Sequence, residues 1–481
     1  MTQVMPSCVF CTACMIPTIV THARNEPPAP PPPTKQQSSS PPPLLSSQTL
    51  VLQKRGSPLQ KSAMSTTPVR ETRSPHSGYH FDGSSREFFE GWYFKVSIPE
   101  VKQSFAWMYV SENPGTVAAS STREGGARGP SSAAQIMGAN DEYLFQDQPS
   151  VKSFWGHRHE LALGNTFRVK SGALPPMSET SPAEFWELVE EGYQATPTLH
   201  QGILFDNGGT DFAKTVQHAK WEYTTVPVYG WGDKGGTQKA TAGWLAALPV
   251  FEPHWQICMA AGLSTGWIEW GDQRFEFKDA PSYCEKNWGG SFPKKWFWVQ
   301  CNVFEGTFKD VALTAGGGRR GLPFFKNTFE DVALVCVHFE GKFYEFVPWR
   351  GSVDWEMAPW GSWKMSASTK THEVKLEATS SEPGCTLRAP AENVGMVPLC
   401  KDTFFGKLRL QMWERTEKGD QGRMILDTTS DMCALEIGGS PWESMWEGRA
   451  CMKQPLKGLL QLPINPEKIF AYAPYFKPPG L

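Results

Sequence analysis

The first 90 residues contain none of the chain's 20 tryptophans. Residues 1–74 also have few acidic side chains, Glu26 and Glu71, and they carry long Pro, Ser and Thr runs such as PPAPPPPT. Such a segment has too little apolar area to fold around a core, and its hydroxyl-rich, acid-poor composition is typical of an organelle transit peptide. We therefore predict that residues 1–74 are a disordered transit peptide and linker. A Pro-rich tail without a targeting role is the alternative.

The chain also lacks a long apolar run and an excess of basic residues, and it has no closely spaced cysteine pairs after residue 250. It has no run of 18 apolar residues, so membrane contact should be peripheral rather than through a spanning helix. Its net charge of −3 gives no basic footprint for nucleic acid. The eight cysteines after residue 250 form no close pairs, which favours reduced and mostly buried thiols.

Several catalytic motifs are missing too. The sequence has no G-x-S-x-G, no H-E-x-x-H and no dinucleotide-binding fingerprint. The glycine-rich stretch AGGGRRG at 315–321 lacks the Lys-Ser/Thr ending and the following helix of a phosphate loop. We predict that the protein works without a cofactor or metal.

What the body does contain is many short aromatic or β-branched runs, such as GWYFKVSI and KWFWVQCNVF, separated by Gly, Pro and Asn. This pattern predicts a mainly β protein of antiparallel strands, as a barrel or sandwich. SPAEFWELVEEG predicts one short helix, with Ser181 as its N-cap and Pro182 at its first position. Residues 112–132 have no core-forming pattern and are predicted to be a loop.

A second change of composition falls near residues 348–366. Beyond it, HEVKLEAT and KLRLQMWER alternate as half-buried strands do. We predict two β domains, residues 75–350 and 351–481, and expect the first to carry the main catalytic motifs.

The stretch YCEKNWGGSFPKKWFWVQ at 283–300 sets Glu285 among six aromatic residues. Burial against such rings disfavours the charged carboxylate, so the acid keeps its proton near neutral pH. Aromatic faces also stabilise cations. Together these features suit protonation of an isolated carbon–carbon double bond and protection of the resulting carbocation. The alternative is that Glu285 lies outside, paired with Lys286, Lys294 or Lys295.

Two other ionisable residues have aromatic neighbours. Glu90 in FFEGWYFKV has surroundings similar to those of Glu285, and His254 in FEPHWQICMA precedes Trp255. A lone histidine is more often a hydrogen-bonding residue of the core than a catalytic one, so His254 is the weaker candidate.

Four long blocks of the body resemble the tocopherol cyclase family of plants and algae: residues 75–100, 226–270, 283–306 and 410–442. The likeness covers about 75–450. It implies an enzyme of plastids, associated with their lipid droplets (plastoglobules) or thylakoid surface by peripheral contact. It also implies that the substrates are phytyl-benzoquinols, whose chromanol ring the enzyme closes in vitamin E synthesis.

A more distant resemblance links the chain to lipocalin-like carotenoid hydratases, which share E-x-W-Y-F and Y-x-[D/E]-x-N-x-G. Here the first motif is Glu90, Trp92, Tyr93 and Phe94, and the second is Tyr283, Glu285, Asn287 and Gly289. This resemblance implies that both β domains are lipocalin-like.

The family likeness does not assign the acid, so residue roles are hypotheses from local sequence and shared motifs. We expect Glu285 to donate the proton, with Tyr283 and Asn287 orienting it, and His254 or Glu90 to take the phenol proton. The expected substrate-binding rings are Trp92, Tyr93, Trp255, Trp288 and Trp298.

Two non-catalytic functions remain open at this point. A β-barrel with an aromatic cavity could carry prenyl lipids unchanged, although a carrier gains nothing from a desolvated acid. A lipid-droplet coat protein would show long amphipathic helices, and this sequence offers one short helix. The sequence does not indicate the oligomeric state.

Overall fold

The computed structural model describes residues 73–115, 130–208, 215–248, 252–306, 310–321, 328–391 and 394–481. The predicted transit peptide therefore lies almost wholly outside the described residues. Within these ranges the chain forms 22 strands and three short α-helices. The strands of the first half are β1 Phe89–Ile98, β2 Gln103–Glu112, β3 Ser131–Met137, β4 Tyr143–Gln148, β5 Phe154–Gly156, β6 Leu163–Val169, β7 Val189–Ala195, β8 Leu199–Phe205, β9 His218–Tyr229, β10 His254–Trp270 and β11 Gln273–Gly289.

The second half of the chain also consists mainly of strands. Its strands are β12 Lys295–Cys301, β13 Val311–Gly321, β14 Phe329–Phe339, β15 Lys342–Phe346, β16 Ser352–Met357, β17 Ser362–Ser368, β18 His372–Thr379, β19 Cys385–Ala391, β20 Gly395–Arg415, β21 Gln421–Gly439 and β22 Trp446–Cys451. The helices are α1 Pro182–Leu188, α2 Leu456–Leu460 and α3 Pro466–Ala471.

The strands form two antiparallel sheets of 11 strands each. The first has the order β4-β3-β2-β1-β11-β10-β9-β8-β7-β6-β5, and the second has the order β15-β14-β13-β12-β21-β20-β18-β17-β16-β22, with β19 paired to β20. The prediction of a mainly β protein is confirmed. The chain changes sheet between Gly289 and Lys295, and the domain boundary predicted near residue 350 falls inside the second sheet, between β15 and β16. Two separately folding domains with that boundary stay a prediction.

Local sequence signals account for several elements. Ser181 caps α1 by accepting a hydrogen bond from the Glu184 backbone N–H, with Pro182 at the first helical position, as predicted. In β18 the alternation also holds, because Val374 and Leu376 are buried while Lys375 between them is exposed. Of the predicted loop at 112–132, residues 116–129 lie outside the described part of the chain, and its two ends belong to β2 and β3.

Buried apolar residues form three clusters, and the third matters most for function. One cluster lies on the first sheet alone and another on the second sheet alone. The third takes residues from both, including Tyr93 and Tyr283 from the first sheet and Trp296 and Trp298 from the second. The faces that carry these residues are therefore packed against each other.

Two further observations concern thiols and membranes. The cysteines of the described residues are free, and seven of the eight are buried, as the sequence predicts. Among the same residues, no helix has the length and apolar character needed to cross a membrane.

Candidate active site

A cavity of about 560 Å³ lies within the layer where the two sheets face each other. The first sheet supplies Tyr93, Trp255 and Glu285 to its wall, and the second supplies Trp298 and Glu436. This volume lies within the range of small-molecule sites, and the mainly apolar wall suits a lipid-like ligand.

Glu285 is held in this wall by two donors. Its side chain is 7% exposed, and its Oε2 accepts hydrogen bonds from the Tyr283 hydroxyl at 2.5 Å and from the Trp298 indole N–H at 3.1 Å. The outward-facing alternative is wrong, because the neighbouring lysines bind elsewhere. Lys286 pairs with Glu90, and Lys295 lies over the ring of Trp442.

The surroundings of Glu285 change its acidity. Burial raises the pKa of Glu285 to about 7, although Tyr283, Trp255 and Trp298 act in the opposite direction as hydrogen-bond donors. A carboxyl with this pKa is neutral in a large fraction of molecules at neutral pH. It can therefore act as a proton donor.

The second sheet brings another carboxyl to the same cavity. Glu436 lies opposite Trp298 in the pairing of β21 with β12, and its Oε1 accepts a hydrogen bond from the Trp296 indole N–H. Burial raises the pKa of Glu436 to about 7, and the nearby charge of Glu285 adds to the effect while the Trp296 hydrogen bond opposes it. The site thus holds two acids, of which sequence reasoning found one.

A third carboxyl lies behind the cavity wall. Asp402 is opposite Glu436 in the pairing of β20 with β21, is fully buried, and has no hydrogen-bond partner for either carboxyl oxygen among the described residues. Burial, with the like charges of Glu436 and Asp141, holds the pKa of Asp402 well above its usual range. Its surroundings therefore favour the protonated form of Asp402.

The other predicted carboxyl, Glu90, lies on the opposite face of the first sheet. It is fully buried, forms an ion pair with Lys286, and accepts a hydrogen bond from the His80 backbone N–H at 2.7 Å. It does not line the cavity. Glu90 is opposite Trp288 in the strand pairing, whereas Tyr93 is opposite Glu285. Because positions three apart on a strand face opposite ways, the two glutamates cannot share a site.

His254 contributes to the cavity wall, but its ring stacks on Trp288 at a centroid distance of 4.8 Å. The Trp288 ring in turn stacks on His80 at 3.8 Å, on the Glu90 side of the sheet. Burial lowers the pKa of His254 to about 4, with help from the positive charges of Arg320 and Arg86. The imidazole is therefore neutral at physiological pH and able to accept a proton.

The structure brings most of the predicted site together. The predicted residues that line the cavity are Trp92, Tyr93, His254, Trp255, Glu285, Asn287 and Trp298. Tyr283 lies behind Glu285 and reaches it through its hydroxyl, while Glu90 and Trp288 are outside the lining. Among the described residues, no group of three or more His, Cys, Asp or Glu side chains is placed to hold a metal ion.

The glycine-rich stretch at 315–321 is part of β13 and leaves room for the aromatic wall. A side-chain carbon on Gly316 would lie 3.0 Å from the Trp255 ring, and one on Gly317 would lie 2.6 Å from the Phe297 ring. On β21, Gly438 does the same for Trp296, because a side-chain carbon there would lie 2.1 Å from its ring. Gly316 and Gly438 thus leave space for rings between the sheets, and Gly317 leaves space for a ring in the core of the second sheet.

The fold and the cavity define a two-sheet β protein that holds buried carboxyl groups in an aromatic chamber. The chain belongs to the tocopherol cyclase-like family, whose model matches residues 86–439. It is 54% identical over 421 residues to a probable chloroplastic tocopherol cyclase of Oryza sativa subsp. japonica, covering 86% of this chain and 88% of that one. It is 52% identical over 437 residues to the chloroplastic tocopherol cyclase of Zea mays, covering 88% and 90%.

Likeness to solved structures is weaker. A crystal structure of kievitone hydratase from Nectria haematococca matches with a TM-score of 0.36 and 9% sequence identity, over 76% of this chain and 93% of that chain.

Proposed function

We propose that this chain closes the chromanol ring of phytyl-benzoquinols, as the names of its relatives suggest, with Glu285 as the proton donor. The observation that carries the proposal is the placement of Glu285, a buried carboxyl with a raised pKa in the wall of an aromatic cavity. The Tyr283 and Trp298 hydrogen bonds both end on Oε2. These two bonds leave Oε1 as the oxygen from which we propose that the neutral acid delivers its proton.

The reaction needs no oxidation or hydrolysis. Oε1 of Glu285 gives its proton to the less substituted alkene carbon, and positive charge develops on the tertiary carbon. The phenol oxygen next to the prenyl chain then bonds to that carbon and loses its own proton. The protein has to hold the chain so that oxygen and carbon are in near-attack contact, and it has to keep water from the cation.

The cavity wall supplies what a tertiary cation requires. The rings of Tyr93, Trp255 and Trp298 line it, and ring faces attract positive charge. Tyr93 belongs to the first sheet and Trp298 to the second. Their rings meet edge-on at a centroid distance of 5.3 Å and close this side of the chamber. Water that reached the cation would give a tertiary alcohol instead of a chromanol.

The direct test is to incubate the purified chain with a reduced phytyl-benzoquinol in D₂O and to analyse the product by mass spectrometry. We expect a chromanol that carries one deuterium on the ring carbon next to the tertiary centre, since the acid exchanges its proton with solvent. Recovery of unchanged quinol would overturn the proposal and would favour a lipid carrier. A tertiary alcohol would show that the acid works but that ring closure does not.

Location follows from the same relatives. Both are chloroplastic, which supports a plastid protein. We further propose that the chain contacts plastoglobules or another plastid lipid surface through residues 456–477. Tyr472, Tyr475 and Phe476 are 93%, 98% and 80% exposed, which supports this proposal. Several large aromatic side chains exposed together to water are unusual and mark a contact surface. In the same segment, Leu460 of α2 lines the cavity, so a lipid surface here would adjoin the route of a lipid substrate.

Flotation with phosphatidylcholine–phosphatidylglycerol vesicles tests the contact. Replacing Tyr472, Tyr475 and Phe476 together by Ser should move most of the protein from the vesicle fraction to the soluble fraction. The matched control is Leu174→Ser, since Leu174 is 82% exposed on another loop. Equal flotation of both variants would contradict the proposed surface.

A further inference from the structure

Ring closure leaves the phenol proton to be removed. The inference that follows concerns the group that accepts this proton, and it rests on the function proposed above. Of the two acceptors predicted from sequence, Glu90 is bound to Lys286 on the other face of the first sheet. The ring of His254 is stacked against Trp288 on that same side. An acceptor that shares the chamber with Glu285 would be better placed.

Glu436 meets that requirement from the second sheet. It lines the cavity, is held by the Trp296 indole N–H through Oε1, and lies opposite Trp298, whose own N–H binds Glu285. Neighbouring tryptophans of β12 thus each bind one of the two carboxyls. The single hydrogen bond from Trp296 leaves Oε2 of Glu436 available to a substrate.

We propose that Glu436 is the second catalytic carboxyl and accepts the phenol proton while Glu285 protonates the alkene. The bond changes balance. The Glu285 O–H bond, the phenol O–H bond and the π bond of the alkene break. A C–H bond forms at the less substituted alkene carbon, a C–O bond forms at the tertiary carbon, and an O–H bond forms on Glu436. The proton gained by Glu436 equals the one lost by Glu285, so no other reactant is needed.

Electrostatics support this division of roles. Two carboxyls that line one cavity resist ionising together, so the pair tends to hold one proton and to offer one acid and one base. The titratable groups that face Glu436 are Glu285 on β11, Tyr93 on β1, and Asp402 and Cys400 on β20.

The test is the pH profile of chromanol formation by Glu436→Gln in the full chain. The wild-type profile should have an acidic limb, because Glu436 must be ionised, and an alkaline limb, because Glu285 must be protonated. Glu436→Gln should lose the acidic limb and lower kcat about 100-fold or more. Trp296→Phe is the milder variant. It removes a hydrogen bond that stabilises the Glu436 carboxylate, so the pKa of Glu436 should rise and the acidic limb should move to higher pH.

Other results would overturn the inference. A Glu436→Gln variant that keeps both the acidic limb and a kcat within twofold of wild type would exclude Glu436 as the acceptor. If His254→Gln loses the acidic limb and Glu436→Gln does not, the acceptor is His254. These outcomes are separate from failure of the proposed function, in which wild type itself forms no chromanol.

Discussion

The Trp298 indole N–H donates to Oε2 of Glu285 at 3.1 Å, although the two residues belong to different sheets. Glu285 is thereby oriented from both sides, by Tyr283 on its own strand and by Trp298 across the interface. The carboxyl that we propose as proton donor is thereby pre-organised for one position of the substrate alkene. Four predictions follow from this geometry and from the buried pair on the opposite face.

Glu285→Gln should reduce turnover by several orders of magnitude, at or beyond the upper end of the about 10²–10⁴-fold effects typical of acid catalysis. Gln has a similar shape and can still accept the two hydrogen bonds, so substrate binding should change little. Initial rates and quenching of tryptophan fluorescence by the quinol measure the two effects. Near-normal turnover would remove Glu285 as the donor.

Trp298→Phe should keep an aromatic ring but remove the donor to Glu285. That hydrogen bond stabilises the carboxylate, so its loss should raise the pKa of Glu285. Because the donor must be protonated, the alkaline limb of kcat/KM should move to higher pH. Trp360→Phe is the control, since Trp360 donates to the Glu382 carbonyl outside the cavity and its loss should leave the limb in place. A Trp298→Phe profile identical to wild type would contradict this role.

Glu90→Gln should lower stability because it leaves the buried ammonium of Lys286 without its counter-charge. Both side chains are fully buried, and breaking such a pair costs about 3–5 kcal/mol. Urea unfolding followed by circular dichroism measures the loss. The exposed pair of Arg409 and Asp427 supplies the control, because Asp427→Asn should change the midpoint little. If Glu90→Gln instead unfolds like wild type but fails to turn over, Glu90 is catalytic after all.

The raised pKa of Glu285 should make the fold less stable as pH rises. The group has an ordinary pKa of 4.5 and a pKa of about 7 in the folded protein, so folding favours its protonated form. Its contribution is fully present below pH 4.5 and is lost as pH rises through about 7. Glu285→Gln does not ionise, so its stability relative to wild type should increase by roughly 3 kcal/mol between pH 4.5 and pH 8. Parallel stability curves for the two proteins would refute the raised pKa.

Local sequence was enough to predict the elements and one half of the site. Turn residues, alternation and the Ser181 cap indicated a β protein with a short helix, and the rings near Glu285 indicated a desolvated acid. Glu90 had the same local appearance, yet it faces the other way, because the pairing of β1 with β11 decides which side each residue shares with its neighbours.

Glu436 was missed because its partners are far away in sequence. Trp296 lies 140 residues before it, and that pairing depends on how β12 and β21 align. One local signal existed. In CALEIGG, Ala434, Glu436 and Gly438 fall on one face of the strand, whereas Leu435 and Ile437 fall on the other and pack into the core of the second sheet. An acid flanked by small residues on an otherwise apolar strand marks a face with free space.

Glu285 belongs to the first sheet, whereas Trp296, Trp298 and Glu436 belong to the second, so each half of the polypeptide carries only part of the cavity wall. From the proposed roles of these residues, we expect a gene cut at 290–294 to encode two fragments that are each inert. Any chromanol made after mixing them would report directly on reassembly of the two sheets.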